Sequence, residues 1–493
     1  MNTIYEPSTI CAQATASGQG AIAIVRMSGS KSFEIISQIL KNSKGESFSK
    51  PLGRRARFGT IVAQDERIID EVVAIGFAGP NSYTGEDSVE IYCHGSDYIV
   101  SEILKLLISC GAQMASAGEF TKRAFLNGRL DLAQAEAVAD LIASETSAAH
   151  DVALKQIKGG YSDELRCMRD ELVNIVSLME LELDFSEEDV EFADRTQLKD
   201  LLSKVIAHIE TLIDSFSLGN VIKNGVPTAI IGATNTGKST LLNALLREER
   251  AIVSDIAGTT RDTIEDTINI DGVTFRFIDT AGIRSTKETI EIIGIERTFS
   301  TINKASVVLM VLDATRAEYF EESLATLSPR LNQQQELFII LNKLDVAFGQ
   351  GEETSFEDLC KIEKSEPVQA MVDNIAQLAQ KYNCPPTQII TISAKQRFGI
   401  EKINKSLIDS HKSLKSVKSS GNGQMVTNLR HYQALKEARE SLQRVEEGIA
   451  ASLSTEFISQ DIRQALYHIG TITGEVTSDE ILGNIFRRFC IGK

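Results

Sequence analysis

The chain has 493 residues, enough for about three domains of ordinary size. Its 51 basic and 68 acidic side chains give a net charge of −17, which argues against a protein that coats nucleic acid or an anionic membrane through its overall charge, although a local basic patch can still contact RNA. No apolar run approaches the roughly 18 residues of a membrane span, and seven scattered cysteines favour a reducing, cytoplasmic setting.

The first part of the chain, residues 1 to about 122, has the pattern of an α+β domain. Short apolar runs at 21–25 and 72–77 are typical of strands. Clusters of glycine, serine and proline, such as the one at 79–82, separate these runs. We therefore predict an α+β domain at the N-terminus.

The periodicity becomes helical from about residue 123 to 220. Apolar residues recur there at spacings of three and four positions, which places them on one helix face: Leu165, Met168, Leu172, Ile175 and Met179. The last part, from about 403 to 493, is helical again and contains a polar, lysine-bearing linker at 412–424. The simplest topology is one helical domain built from both flanks of the region between them.

That middle region, 221 to about 402, alternates strand-like runs with helical stretches. The runs lie at 227–231, 307–312, 337–341 and 388–392. Such alternation indicates a mostly parallel sheet covered by helices. The predicted architecture is therefore multidomain, α/β and α, with an α/β domain inserted into the helical domain.

A glycine-rich segment directly follows the first of these strands. It runs from Gly232 to Ser239, precedes a predicted helix at 240–246, and fits G-x-x-x-x-G-K-[ST]. Its glycines let backbone N–H groups close around phosphates at a helix N-terminus. We predict that Lys238 contacts the β- and γ-phosphates and that Ser239 binds Mg²⁺.

Three further motifs follow in order, each after a predicted strand. The motif at 279–282 is suited to hold Mg²⁺ through water and to sense the γ-phosphate. At 342–345, the carboxylate of Asp345 can accept two N–H bonds from guanine, which adenine does not offer. The motif at 393–395 completes the base pocket. Together the four motifs predict a GTP-hydrolysing domain of the Ras-like P-loop type.

The residues predicted to bind GTP lie in five segments of the chain. They are Asn235, Thr236, Gly237, Lys238, Ser239, Thr240, Ser254, Asp255, Ile256, Ala257, Gly258, Thr259, Thr260, Asp279, Thr280, Ala281, Gly282, Asn342, Lys343, Leu344, Asp345, Ser393, Ala394 and Lys395.

The segment after the second motif departs from the Ras pattern. Ras-like proteins have a water-orienting glutamine where this chain has Ile283, whose side chain cannot orient water. Charge on the transferred phosphoryl group also needs a cation. Asn235 and backbone carbonyls of 254–260 can coordinate a monovalent cation beside the phosphates. Thr260 is then the second protein ligand of Mg²⁺.

Several segments along nearly the whole chain resemble the MnmE (TrmE) family of tRNA modification GTPases. Within the GTPase domain these are the segments at 255–262 and 279–284. Outside it, the segments at 82–87, 118–128 and 489–493 are similar to the family's N-terminal domain, following helix and C-terminal signature. Many relatives share the GTPase motifs, so the flanking segments make the resemblance specific.

The chain also departs from that family in three places. Residues 16–21 differ from the glycine- and proline-rich segment of the family, and Ala233 and Thr234 stand where it usually has Arg-Pro. A polar, partly helical segment at about 351–386 makes the last part of the GTPase domain longer. The glycines and the phosphate ligands are retained.

The resemblance implies a function in tRNA modification. The family is a homodimer whose N-terminal domain resembles folate-dependent aminomethyltransferases and binds 5-formyl- or methylene-tetrahydrofolate. In a heterotetramer with MnmG (GidA), which uses FAD and NADH, it adds an aminomethyl or carboxymethylaminomethyl group at C5 of the wobble uridine of certain tRNAs. The GTPase domains pair when K⁺ is bound.

The resemblance also implies roles for particular residues. It assigns K⁺ to Asn235, Ser254, Ile256 and Thr259, and the positioning of water to Glu291. It assigns folate to Arg26, Glu90, Arg129 and Lys493. Glu90 can accept pterin N–H bonds, and the three basic residues can pair with carbonyl or carboxylate oxygens.

The C-terminal tail carries apolar side chains almost to its end. Phe486, Phe489 and Ile491 predict that the tail docks, and we expect it to pack at the N-terminal domain with Cys490 close to the one-carbon unit. There the Cys490 thiolate can act as a nucleophile toward uridine C6 or transfer a proton, provided that its pKa is lowered. A structural thiol is the alternative.

Two other functions remain open at this point. A ribosome-assembly GTPase switch shares the nucleotide motifs, but it does not explain the N-terminal segments or the tail. A stand-alone folate aminomethyltransferase with a regulatory GTPase domain needs no flavoprotein partner.

Overall fold

A computed structural model describes residues 8–46, 55–184, 195–250, 266–278, 302–332, 335–412, 424–451, 453–487 and 489–492. The chain divides into two compact units. The first comprises Met1–Ala143, Ala153–Thr211 and Gln433–Lys493, and the second comprises Ser144–Val152 and Leu212–Tyr432. The second unit is thus inserted into the sequence of the first.

A seven-stranded sheet forms the N-terminal part of the first unit. In the order β3-β4-β5-β6-β2-β1-β7 it contains β1 (Ile10–Gln13), β2 (Gly20–Ser28), β3 (Leu40–Lys41), β4 (Arg57–Val62), β5 (Ile68–Phe77), β6 (Ser88–Gly95) and β7 (Gln113–Met114). Neighbouring strands are antiparallel, except that β1 and β7 are parallel. The two strands predicted in this part of the chain lie within β2 and β5.

Two helices, α1 (Ser32–Ile39) and α2 (Asp97–Ser109), cover one face of this sheet. Their buried apolar residues pack on alternate strand residues such as Val25 and Ile91. Side chains of a strand alternate between its two faces. Arg26 and Glu90, which follow and precede those residues and are register partners, therefore lie together on the opposite face.

Helices follow the sheet: α3 (Glu119–Leu126), α4 (Leu132–Ala143), α5 (Ser147–Ile157), α6 (Gly160–Asp184) and α7 (Arg195–Asn224). The predicted apolar face is confirmed in α6, where its members are buried: Leu165, Met168, Leu172, Ile175 and Met179.

One segment of α7, Leu198–Asn224, is long and apolar enough to cross a membrane by length and composition alone. The sequence shows no uninterrupted apolar run here, because Glu210 and Asp214 interrupt the apolar residues. A single such helix is a weak indication, since the core helix of a soluble protein passes the same test.

The second unit contains a six-stranded sheet. In the order β13-β12-β11-β8-β10-β9 it consists of β8 (Val226–Ile231), β9 (Asp266–Ile270), β10 (Val273–Phe277), β11 (Val307–Asp313), β12 (Glu336–Asn342) and β13 (Gln388–Thr391). All neighbours are parallel except β9, which is antiparallel to β10. The mostly parallel sheet predicted from the sequence is confirmed.

Helices cover both faces of this sheet: α8 (Lys238–Arg250), α9 (Phe320–Leu327), α10 (Leu344–Ala347), α11 (Phe356–Glu363), α12 (Glu366–Lys381) and α13 (Ile400–Ser410). Residues of α8 and α13 pack on one face, and residues of α9, α11 and α12 pack on the other. The segment at 351–386, to which the sequence assigned no role, contains α11 and α12. Their Leu359, Val368 and Ile375 are buried in that core.

The chain returns to the first unit through α14 (Leu429–Ala450), α15 (Thr455–Thr473) and α16 (Asp479–Phe486). Helix α15 packs on α6 and α4, so the helical part combines segments from both sides of the insertion. The predicted fold class is therefore confirmed. The domain boundaries at 122, 220 and 402 remain predictions.

Candidate functional site

The turn between β8 and α8 has the backbone of an anion-binding loop. Gly232, Asn235 and Gly237 have positive φ angles of 149°, 65° and 98°. A side chain at Gly232 would meet the carbonyl oxygen of Val311, so the close approach of the two backbones requires glycine there. Since α8 begins at Lys238, the N–H groups of its first turn stand at the end of the loop. The sequence predicted a phosphate site at this loop.

Lys238 folds back onto its own loop. Its Nζ donates hydrogen bonds to the carbonyl oxygens of Gly232 and Ala233 over 2.8 and 2.7 Å. Burial lowers the pKa of Lys238. Phosphate oxygens carry full negative charge and are stronger acceptors than these carbonyls. The ammonium can therefore exchange the carbonyls for a phosphate.

Asn342 ties the phosphate loop to the predicted base pocket. Its buried amide donates to the carbonyl oxygen of Thr236 over 2.9 Å and accepts from the backbone N–H of Ala394 over 2.9 Å. The sequence analysis assigned Asn342 to GTP binding, and the structure shows it joining three of the predicted motifs. A side chain at Gly237 would collide with this amide.

The base motifs converge at the ends of β12 and β13. Asp345 lies in the short helix α10 and is 2% exposed. The N–H of Leu344 donates to the carbonyl oxygen of Ile392 over 3.3 Å, which joins the two loops. Ser393 pairs with Phe398 in a short bridge and so fixes the loop that also carries Lys395. The predicted residues 342–345 and 393–395 are thus brought together.

Sequence reasoning missed Asp313, the last residue of β11. It is 5% exposed, and its carboxylate accepts hydrogen bonds from Lys343 Nζ over 2.7 Å and from Thr315 Oγ1 over 2.7 Å. Burial raises the pKa of Asp313, but the hydrogen bonds from Lys343 and Thr315 outweigh burial, so its pKa lies below the ordinary value and the group is ionised. One feature of the sequence could have indicated Asp313: it ends the apolar strand β11, just as Asn342 ends the apolar strand β12, and the two residues are register partners.

Only some of the residues predicted for the nucleotide site are described by the structure. Among the described ones, Asn235 is exposed on the loop, and Ser239 and Thr240 stand in the first turn of α8. Outside the described residues are Ser254, Asp255, Ile256, Ala257, Gly258, Thr259, Thr260, Asp279, Thr280, Ala281, Gly282, Ile283 and Glu291.

A second polar site lies on the face of the N-terminal sheet opposite α1 and α2. Arg26 donates through Nε and Nη2 to Glu90 Oε1 over 3.0 and 2.9 Å, and Tyr92 donates to Glu90 Oε2 over 2.9 Å. The guanidinium carbon of Arg26 lies 5.6 Å from the ring centre of Tyr83 and 5.8 Å from that of Phe120. Two of the four residues predicted for folate are thus in direct contact.

The segments at 82–87 and 118–128 hold each other through an ion pair that sequence reasoning did not predict. Arg123 donates to both carboxylate oxygens of Glu86 over 3.2 Å and to Glu119 over 2.9 Å. Ser28 donates to Glu86 over 2.7 Å. This network places the loop that carries Tyr83 above Arg26. The family-like segments therefore build the wall of the polar site.

The C-terminal tail docks at the same site. The carbonyl oxygen of Gly492 lies 3.5 Å from Arg26 Nη1, and the N–H of Gly118 donates to the carbonyl oxygen of Cys490 over 3.4 Å. Phe486 and Phe489 pack together beside α4. The expected docking of the tail at the N-terminal domain is confirmed, whereas Lys493 lies outside the described residues.

The remaining candidates of this site differ in their surroundings. Arg129 is exposed, and its side chain lies against Gly85 of the loop at 82–87. Cys490 is exposed, whereas burial raises the pKa of Cys93, on β6 beside Tyr92, to about 11. Cys93 is therefore a neutral thiol and no nucleophile.

Comparison with known sequences decides the family. The family described as MnmE helical domain matches residues 132–490, and the one described as GTP-binding protein TrmE N-terminus matches residues 9–129. A tRNA modification GTPase MnmE from Flavobacterium johnsoniae is 47% identical over 98% of this chain and 99% of its own length. The chain belongs to the MnmE family.

Other MnmE relatives match equally fully. The tRNA modification GTPase MnmE of Christiangramia forsetii is 48% identical, and that of Bacteroides thetaiotaomicron is 49% identical, each over 98% of this chain and 99% of its own length. A GDP-bound GTP-binding protein from Sulfolobus solfataricus covers 50% of this chain and 67% of its own at 18% identity and a TM-score of 0.27, too low to add to the fold. The resemblance inferred from the sequence is confirmed, and the predicted enzyme class, a GTP hydrolase acting in tRNA modification, is that of MnmE.

Proposed function

We propose that this MnmE chain is a K⁺-dependent GTP hydrolase that acts with the FAD protein MnmG (GidA). Together they add an aminomethyl or carboxymethylaminomethyl group to C5 of the wobble uridine in certain tRNAs. The observation that carries the proposal is the pairing of Arg26 with Glu90 under the C-terminal tail, in a chain that also holds a P-loop. A GTPase that only switches ribosome assembly has no use for that polar site.

The residues of the nucleotide site are suited to bind GTP and Mg²⁺. Lys238 is poised to leave two carbonyls for the β- and γ-phosphates, and the N–H groups at the start of α8 would bind further phosphate oxygens. We assign Mg²⁺ to Ser239, in the first turn of α8, and to Thr260. Bound Mg²⁺ would supply positive charge against the phosphates. The buried Asp345 would accept the N–H bonds of guanine.

The phosphate loop also carries a residue suited to bind a monovalent cation. Asn235 is exposed and holds a left-handed conformation, which asparagine tolerates better than most residues. Its amide oxygen is a hard donor suited to K⁺, and we assign the remaining ligands to Ser254, Ile256 and Thr259. Bound K⁺ would supply the charge that an arginine finger supplies elsewhere. Glu291 would then orient the attacking water.

The polar residues of the N-terminal site are suited to bind a tetrahydrofolate. A carboxylate offers about four lone-pair positions; Arg26 donates two hydrogen bonds to one oxygen of Glu90, and Tyr92 donates one to the other. Glu90 can therefore accept a further N–H bond from a pterin on the oxygen that Tyr92 contacts. Arg129 has no ion-pair partner among the described residues and is available for a carboxylate of the ligand, together with Lys493. Bound 5-formyl- or methylene-tetrahydrofolate would supply the one-carbon unit.

The resemblance to the MnmE family implies the partners. We propose a homodimer that joins MnmG in a heterotetramer and takes tRNA as its substrate in the cytoplasm. Cys490 is exposed beside the polar site, where it can serve either as a nucleophile or proton-transfer group, or as part of the docked tail.

Modified nucleosides in tRNA from two deletion strains test the proposal. One strain lacks this chain, and the other lacks the flavoprotein. Loss of the C5 group at the wobble uridine in both strains is the expected result. Loss only in the strain that lacks this chain would indicate a stand-alone aminomethyltransferase. Normal tRNA with defective ribosomal subunits would favour the assembly switch and overturn the proposal.

A further inference from the structure

Lys343 belongs to the predicted base motif at 342–345, whereas Asp313, its ion-pair partner, has no function assigned so far. Lys343 lies between two buried residues, Asn342 and Asp345, and its backbone is held in the left-handed conformation with φ of 68°. Because its neighbours fix the backbone, the only freedom left to Lys343 is in its long side chain. Asp313 removes that freedom by binding its ammonium group.

We propose that Asp313 is a positioning residue for guanine-nucleotide binding. It holds the Lys343 side chain in place as one wall of the base pocket before the nucleotide arrives. This inference rests on the proposed guanine site around Asp345, and Asp313 itself touches no nucleotide in it.

The burial of the two partners favours this role. The side chain of Asp313 is 5% exposed, whereas that of Lys343 is 31% exposed, so the lysine keeps a free surface while its ammonium is held. A flexible side chain that must be ordered on binding weakens affinity, because its rotamer freedom is lost at that step. A side chain that is ordered in advance avoids this loss.

The surroundings of Asp313 show how its carboxylate is aimed. Thr315 donates to the same oxygen through its N–H over 3.0 Å and through its hydroxyl over 2.7 Å, which leaves the other oxygen for Lys343. The N–H of Ala314 donates to the carbonyl oxygen of Asn342 over 2.9 Å. The turn after β11 is thus fastened to β12 directly before Lys343.

Nucleotide binding and hydrolysis by the full-length protein test the inference. Asp313→Asn keeps the size and removes the charge. We expect Kd for a fluorescent GDP and KM for GTP to rise about tenfold with unchanged kcat, in the range found for residues that act through a neighbour. Lys343→Met should give the same shift. The matched control is Asp409→Asn, which breaks a surface pair with Lys412 of 3.0 Å in the same unit and should leave both constants unchanged.

The double variant separates positioning from a structural role. If Asp313 acts through Lys343, the variant with both substitutions binds GDP no more weakly than Lys343→Met alone. Additive losses, or wild-type Kd in Asp313→Asn, would overturn the inference. If Asp313→Asn fails to fold, Thr315→Ala replaces it, because this variant keeps the charge of Asp313 and removes one hydrogen-bond donor. We expect a smaller rise in the Kd for GDP, and we expect that rise to vanish when Lys343→Met is also present. A wild-type protein without preference for GDP over ADP would instead refute the guanine site itself.

Discussion

Asn342 donates a hydrogen bond to the carbonyl oxygen of Thr236 over 2.9 Å, and so binds the end of β12 to the phosphate loop. Its amide oxygen accepts the N–H of Ala394 from the loop after β13. One buried side chain therefore holds in register three loops that are distant in sequence. The geometry of the phosphate site and that of the base site depend on each other through this amide.

Asn342→Ala should weaken GDP binding and lower stability together. The substitution leaves a buried carbonyl and a buried N–H without partners, which costs about 1–3 kcal/mol. Equilibrium GDP binding and urea unfolding of the same preparation measure both effects. Asn224→Ala is the control, because its exposed amide contacts only the surface residue Asn220 among the described residues. Unchanged GDP affinity in Asn342→Ala would show that the loops keep their positions without the amide.

Asp345→Asn should shift nucleotide preference away from guanine. The change removes the acceptor proposed for the guanine N–H groups, and a site built around such bonds discriminates strongly. Competition between GTP and xanthosine triphosphate measures the preference. Asp373→Asn, on the exposed face of α12, should keep the wild-type preference. If Asp345→Asn also keeps it, the base is recognised by other residues.

GTP hydrolysis should require K⁺ and should accelerate with protein concentration. The motivation is Ile283 in place of a water-orienting glutamine, with Asn235 exposed on the loop as a cation ligand. Turnover is measured in buffers of equal ionic strength that contain K⁺ or Na⁺, across a range of protein concentrations. Equal turnover in the two buffers would contradict the prediction.

Glu291→Ala should reduce turnover by about 10²-fold while GTP affinity stays nearly intact. The reason is the loss of a group that orients water, which acts on the reaction and not on binding. Single-turnover hydrolysis and equilibrium binding separate the two effects. Weaker binding with normal single-turnover hydrolysis would make Glu291 a structural residue.

Removal of residues 490–493 should abolish tRNA modification and leave GTP hydrolysis largely unchanged. The tail contacts Arg26 and Gly118 of the first unit, whereas the nucleotide loop belongs to the second. Nucleoside analysis of complemented cells and a GTPase assay measure the two activities. A truncated chain that still modifies tRNA would refute a role for the tail.

Cys490→Ser separates the chemistry of the tail from its packing, because serine keeps roughly the size and lacks the thiol. Cys167→Ser, an exposed cysteine on α6, is the matched control. Loss of modification in Cys490→Ser alone would assign chemistry to the thiol. Wild-type modification in that variant, with the truncated chain inactive, would confine Cys490 to packing.

Much of the fold could be predicted because its signals are local. The buried runs of β8, β11, β12 and β13 and the apolar face of α6 appear in the sequence as continuous or periodic apolar residues. The segment that holds α11 and α12 was expected to be polar and partly helical, but its role was not predicted. Its apolar residues are interspersed with polar ones, and only their placement against the sheet shows that they complete the core.

The sequence by itself determined the phosphate loop, the order of the nucleotide motifs and the family, because each of these lies in a contiguous segment. The tertiary structure alone decided which distant residues meet. Arg26 contacts Glu90 and Gly492, Glu86 contacts Arg123, and Asp313 contacts Lys343. Arg26 and Gly492 are 466 positions apart, and their contact depends on strand order, register and the path of the tail. Local propensity and spacing carry no information about such contacts, since packing sets them only when the whole unit has folded.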